Sequence, residues 1–179
     1  MVALTLASGA CGGSGSAKPT VLPPLPSATV VASATPTATA VPVVVPSAAV
    51  PATPQGAAAF VRFFYGELNG AFQDGHDERI RALSDPACGT CNILAGAVQT
   101  GRLAGRRILG VSFRPTAIEA APASRGSQFV TVLGVVPVRR VSEKGIIRPL
   151  SGGRPFAHTV SLIRRGNTWL VRGIRYEKI

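Results

Sequence analysis

The sequence predicts an α+β fold in which three N-terminal helices pack on a curved antiparallel sheet of about four strands. Three observations carry this expectation. Apolar residues recur at three- and four-residue spacing between Ala57 and Ala71. After Leu103 that period gives way to runs rich in Val, Ile, Phe and Thr. Gly166-Asn167 then separates two such runs, the signal of a tight hairpin turn. The fold is expected over residues 55–179, because what precedes it has a different composition.

Residues 1–10, MVALTLASGA, are apolar and end in small side chains. They read as the remnant of a signal peptide. Leu6 to Cys11 resembles a bacterial lipobox, the small-residue site cleaved just before a lipid-modified cysteine. Gly9 and Ala10 fit that pattern, while Ser8 stands where an aliphatic residue is usual. The resemblance implies an acyl (palmitate) anchor on Cys11.

Residues 11–54 continue as a disordered linker. Nine prolines fall between Pro19 and Pro54 among Ala, Thr, Val and Ser, and Lys18 is the only charged residue. Repeated proline removes backbone donors, and the small side chains between offer little to bury. In an extended polyproline form such a segment reaches on the order of 100 Å, at about 3.1 Å per residue. Threonine beside proline also suits O-glycosylation. No uninterrupted apolar run approaches the ~20 residues of a membrane-spanning helix.

Within the folded part, Ala57, Phe60, Val61, Phe64, Leu68 and Ala71 form the apolar stripe of a first helix, with Arg62 and Glu67 off it. Asp74-Gly75 marks a turn, a short helix spans Glu78 to Leu83, and Asp85-Pro86 stops it. A third helix follows, with Ile93, Leu94 and Val98 as its stripe and Gly101 as its end. Four β-rich stretches come next: RRILGVSFRP, SQFVTVLGVVPVRRV, RPFAHTVSLIRR and TWLVRGIRYEK. In the third of them Phe156, His158, Val160 and Leu162 share one face.

The helix AFVRFFYGELN, the segment ALSDPACGTC and the closing hairpin with NTWLV resemble a family of actinobacterial lipoproteins of unknown function. That family is thought to have the cone-shaped fold of nuclear transport factor two (NTF2), shared with ketosteroid isomerase, the SnoaL-like proteins and the cystatin-like fold. The resemblance implies that fold and an envelope location, on the outer face of the cell membrane. It supplies no catalytic residues.

Cys88 and Cys91 form a CxxC that could be a redox dithiol, half of a zinc site or a structural disulfide. A redox motif should follow a buried strand, and this one follows the polar turn SDPA. Zinc would need two more ligands, and the histidines, His76 and His158, are far apart in sequence. In an oxidising compartment a local disulfide is the expected outcome, pinning the start of the third helix. One lipid anchor and one bridge then account for all three cysteines.

Tyr65, His158 and Trp169 are the candidate pocket residues. Asp74, Asp77 and Glu78 fall at turns and helix starts, where capping explains them, and no acid clearly falls on an apolar strand face. No Ser/His/Asp set, phosphate loop or metal-ligand spacing stands out, so neither cofactor nor metal is expected. The net charge is +11, and from Gly101 onward fifteen basic residues face three acids. Such a field attracts anionic surfaces and polymers.

Three functions remain open. The leading one is a non-catalytic, lipid-anchored envelope protein whose domain binds a ligand or protein partner. The second is an enzyme of the ketosteroid-isomerase or polyketide-cyclase kind, which needs a pocket with convergent polar groups of shifted pKa. The third is a binder of anionic wall polymer or, less expected, nucleic acid. It requires Arg106, Arg107, Arg139, Arg140, Arg164 and Arg165 to converge on one surface.

Overall fold

The computed structural model describes residues 43–123 and 127–179. The signal-peptide remnant, Cys11 and the linker up to residue 42 lie outside the described residues. Three helices come first, α1 (Pro54–Asp74), α2 (Glu78–Ala82) and α3 (Gly89–Leu103). Seven strands follow: β1 (Arg106–Leu109), β2 (Arg114–Ala120), β3 (Gln128–Val136), β4 (Arg139–Glu143), β5 (Ile146–Leu150), β6 (Arg154–Arg165) and β7 (Thr168–Glu177). The expected order of helices before strands holds. Among the described residues the strands number seven rather than about four, and they form two antiparallel sheets, β1-β4-β5 and β2-β3-β6-β7.

Backbone breaks explain the larger number. Gly110, at φ 96°, divides RRILGVSFRP into β1 and β2. Pro137 cannot donate to a ladder and divides the next stretch into β3 and β4, so the chain turns from one sheet into the other there. Gly152 packs directly on the Pro137 carbonyl and closes this corner.

α1 starts on Thr53, whose Oγ1 accepts from Gly56 N at 3.1 Å, with Pro54 as its first residue. It ends at Gly75, whose φ of 85° suits a residue without Cβ and whose N–H donates to Ala71 O. The whole expected stripe is buried, and Tyr65 joins it. Beneath lie Val130 and Val132 of β3, Val160 and Leu162 of β6, and Val171 of β7, all fully buried. The face of β6 carrying Phe156, His158, Val160 and Leu162 is buried throughout, as the alternation predicts.

α3 differs from expectation in its face and its end. Cys91, Ala95 and Val98 point inward, with Leu94 half-buried, while Ile93 is 72 % exposed. Cys88 and Cys91 are bonded, with Cα atoms 5.2 Å apart, and both are buried. Cys88 is also the N-cap, its Sγ accepting from Cys91 N at 3.2 Å. The bridge turns Cys91 to the core, and Ile93, two positions on and some 200° round the helix, turns to solvent. The helix passes Gly101 and stops at Leu103.

Residues 43–53, grouped with the linker by composition, lie against the domain. Ala49 is buried in a single turn of 3-10 helix, Ser47–Ala49. Trp169 Nε1 donates to Pro51 O at 3.0 Å, and Arg164 donates to Val50 O at 2.7 Å. At the hairpin tip Gly166 (φ 59°) and Asn167 form the expected two-residue turn, with Arg165 opposite Thr168.

Candidate functional site

Under the middle of α1, Tyr65 and His158 meet. The Tyr65 hydroxyl lies 2.6 Å from His158 Nδ1, and both side chains are buried. α1 directs Tyr65 inward one residue past Phe64 on its apolar stripe. β6 directs His158 inward between Phe156 and Val160, by the period of two.

Burial disfavours the charged form of each partner. It lowers the His158 pKa to about 4, so the imidazole is neutral at pH 7. It raises the Tyr65 phenol far above its ordinary value, with nearby Tyr176 adding to the effect. A neutral phenol and a neutral imidazole can each donate or accept, so the direction of the bond follows the tautomer: Tyr65 donates to Nδ1 when the ring proton is on Nε2, and accepts from it when the proton is on Nδ1.

Aromatic rings enclose this pair. Phe156 lies 4.5 Å from the His158 ring, and Tyr176, opposite on β7, meets it edge-on at 4.7 Å. Phe156 also stacks on Tyr65 at 6.2 Å, and Phe113 meets the same ring edge-on at 6.1 Å. Gly134 of β3 makes room for Phe156, since a Cβ there would stand 2.6 Å from its ring.

Beside the pair, α1 and the β1–β2 connection border an open cleft of about 320 Å³. Tyr65, Asn69 and Phe113 form its floor, and the exposed side chains of Arg62 and Arg114 flank it. Its residues include no carboxylate. Asn69 fixes one wall: its Oδ1 accepts from Ser112 N at 2.9 Å and Phe113 N at 2.8 Å, and its Nδ2 donates to Phe113 O at 2.8 Å. These three bonds make Asn69 a positioning residue for Phe113, and leave one of its two Nδ2 protons without a partner among these bonds.

The structure thus brings together two of the three candidate pocket residues. Trp169 stands apart, held by Pro51 with the Arg164 guanidinium 4.9 Å from its ring centroid. Asn69, Phe113 and the two arginines were missed by sequence reasoning. Asn69 did carry a signal, as a polar residue one turn after Tyr65 on an apolar helix.

Asp74, Asp77 and Glu78 sit at the turn and helix start as expected, although not all of them cap. Asp74 Oδ1 accepts from His76 N at 3.0 Å. Asp77 makes no capping bond and instead pairs with Arg81 at 2.8 Å. The six arginines proposed as one surface do not form one. Arg106, Arg107, Arg139 and Arg140 belong to the three-stranded sheet, while Arg164 and Arg165 sit at the β6–β7 tip of the other. Arg106 is paired with Glu143 at 3.1 Å and Arg165 with Asp85 at 3.5 Å. Among the described residues no three His, Cys, Asp or Glu gather to hold a metal ion, and no helix is long and apolar enough to cross a membrane.

Fold and site define an α+β domain with a buried tyrosine–histidine pair beside an arginine-flanked cleft. No protein-family profile matches this sequence, and no curated protein matches it. In structure the chain is similar to the intermembrane space region of the chloroplast protein ARC6. The two share 10 % identity and a TM-score of 0.53, over 70 % of this chain and 97 % of that one. That likeness shows a shared fold. Lower scores relate it to ActVI-ORFA from Streptomyces coelicolor, with 14 % identity and a TM-score of 0.46 over 69 % of this chain and 99 % of that one. An NTF2-like protein with a cystatin-like fold from Novosphingobium aromaticivorans gives 12 % identity and 0.42, over 65 % and 77 %.

Proposed function

We propose that the chain is an envelope protein, anchored at Cys11 on the outer face of the cell membrane and displayed on its proline-rich linker. Its domain, an NTF2-like cone on this reading, binds a small anionic molecule with an apolar body and does not transform it. One observation carries the binding role: Arg62 and Arg114 flank an open cleft without a carboxylate, while Tyr65 and His158 close on each other beneath it. Two guanidinium groups supply charge-assisted donors to an anion, and Phe113 supplies an apolar floor. A histidine with pKa about 4 and its Nδ1 already occupied is a poor general base at neutral pH.

The cyclase-like or isomerase-like reading keeps one support. Tyr65 is one of the residues lining the cleft and its hydroxyl is bonded to His158, so a proton relay between the two would run beside the cleft.

Titration of the full chain with 1-anilinonaphthalene-8-sulfonate, followed by NMR, tests the binding role. The Asn69 side-chain amide and the Phe113 backbone amide should shift, and Arg62→Ala/Arg114→Ala should weaken binding at least tenfold. Unmoved Asn69 and Phe113 signals, or unchanged affinity in the double variant, would refute the role of the cleft. Mass spectrometry of the membrane-extracted protein tests the anchor: acyl chains on Cys11 support it, and a bare thiol there removes it.

A further inference from the structure

We propose that the β4–β5 hairpin, with the α3–β1 turn beside it, is a contact surface for an anionic lipid bilayer. This surface belongs to the domain itself and does not depend on Cys11.

The two turns are adjacent. Lys144 N lies 3.4 Å from Gly105 O, and the Lys144 side chain reaches within 4 Å of the space a Cβ on Gly105 would fill. Around this junction apolar side chains stand in solvent: Leu103 is 77 % exposed, Ile146 56 % and Ile147 55 %. β5 is an edge strand, and its residues from Ile146 to Pro149 are exposed. Ile146 pairs with Glu143 and Ile147 with Ser142, so the two isoleucines face opposite sides of the hairpin. Burying both isoleucines at once takes surroundings that wrap the tip, as a fluid medium does.

The charge selects the medium. Arg102 precedes exposed Leu103, Lys144 is in the hairpin turn and Arg148 follows the two isoleucines on β5, and all three cations are exposed. The hairpin's one acid, Glu143, is bonded to Arg106, and Asp74 at the nearby end of α1 is bonded to Arg79 at 3.0 Å. The surroundings are therefore net basic. Apolar side chains interspersed with cations suit the headgroup boundary of a bilayer, where the chains enter the acyl region and the cations meet lipid phosphates.

The test is vesicle co-sedimentation of the full chain carrying Cys11→Ser, so that no acyl group contributes. Vesicles are pure phosphatidylcholine, or phosphatidylcholine with 30 mol % phosphatidylglycerol. Binding to the anionic vesicles should be at least tenfold tighter, and it should weaken steeply between 50 and 300 mM NaCl. Ile146→Ser/Ile147→Ser and Lys144→Asn/Arg148→Gln should each reduce it at least fivefold with unchanged circular dichroism. Asparagine suits position 144 because Lys144 has a positive φ of 49°. Equal affinity for both vesicle types, or anionic binding that neither double variant reduces, overturns the proposal. So does a chain that ignores vesicles but doubles its mass through the β5 edge in an isoleucine-dependent way.

Discussion

The Tyr65 hydroxyl is hydrogen-bonded to His158 Nδ1 at 2.6 Å across 93 residues of sequence, and this bond ties the middle of α1 to β6. Both side chains are buried, so little water reaches either group. A hydrogen bond in such surroundings is worth little until one partner is removed. The remaining group then carries its full desolvation cost.

Tyr65→Phe keeps the ring and strands His158 Nδ1. Unfolding in urea should show a loss of about 1–3 kcal/mol. His158→Leu in the same background should recover part of that loss, because it removes the orphaned nitrogen. A double-mutant cycle with no coupling would contradict the bond.

The histidine makes stability depend on pH. Its pKa is about 4 when folded and about 6.5 when unfolded, so between these values the unfolded chain binds the extra proton. The stabilisation is complete above pH 6.5 and is lost as the pH falls toward 4. It amounts to no more than about 3 kcal/mol. The difference in unfolding free energy between the native chain and His158→Leu should change across that window and be flat above it.

Much of the fold could be read directly, and the limits have physical causes. The stripe of α1 and the inward face of β6 follow from their periods, because each packs one face on the core. β5 escaped notice because both its faces meet solvent, so burial imposes no alternation, and Pro149 argues against a strand. Residues 43–53 looked like linker because docking there uses main-chain carbonyls, of Val50 and Pro51, which composition does not record. His158 on an apolar face was visible, but its partner was not, since sequence spacing says nothing about contacts between α1 and β6. Tyr65 and Trp169 looked alike as buried aromatics. Only the topology separates them, by placing Trp169 at the hairpin tip.

Cys88 both bridges Cys91 and caps α3, and substitutions can separate these roles. With Cys91→Ala held constant, Cys88→Ser keeps a capping oxygen and Cys88→Ala does not. The serine variant should be more stable by about 1 kcal/mol in urea unfolding. Equal stability would mean that the cap contributes nothing. Both variants lose the bridge, whose three-residue separation places its contribution at the low end of about 2–4 kcal/mol.

Gly134→Ala introduces a Cβ 2.4 Å from Arg114 O and 2.6 Å from the Phe156 ring. Backbone and ring must both shift, which disturbs the cage around His158. A loss of about 1–3 kcal/mol is expected on thermal or urea unfolding. The Asn69 and Phe113 NMR signals should also move, because Phe113 meets the Phe156 ring at 5.7 Å.

The account rests on a polar pair that is closed beneath a cleft that is open, and ring-nitrogen NMR of His158 examines both together. Long-range proton–nitrogen spectra should show a neutral ring, with one nitrogen protonated, from pH 5.5 to 8. Those shifts should hold when 1-anilinonaphthalene-8-sulfonate fills the cleft, while Asn69 and Phe113 respond. A His158 that titrates near pH 6.5, or whose nitrogens shift as the cleft fills, would place the pair in working contact with the bound molecule and contradict the binding-only reading.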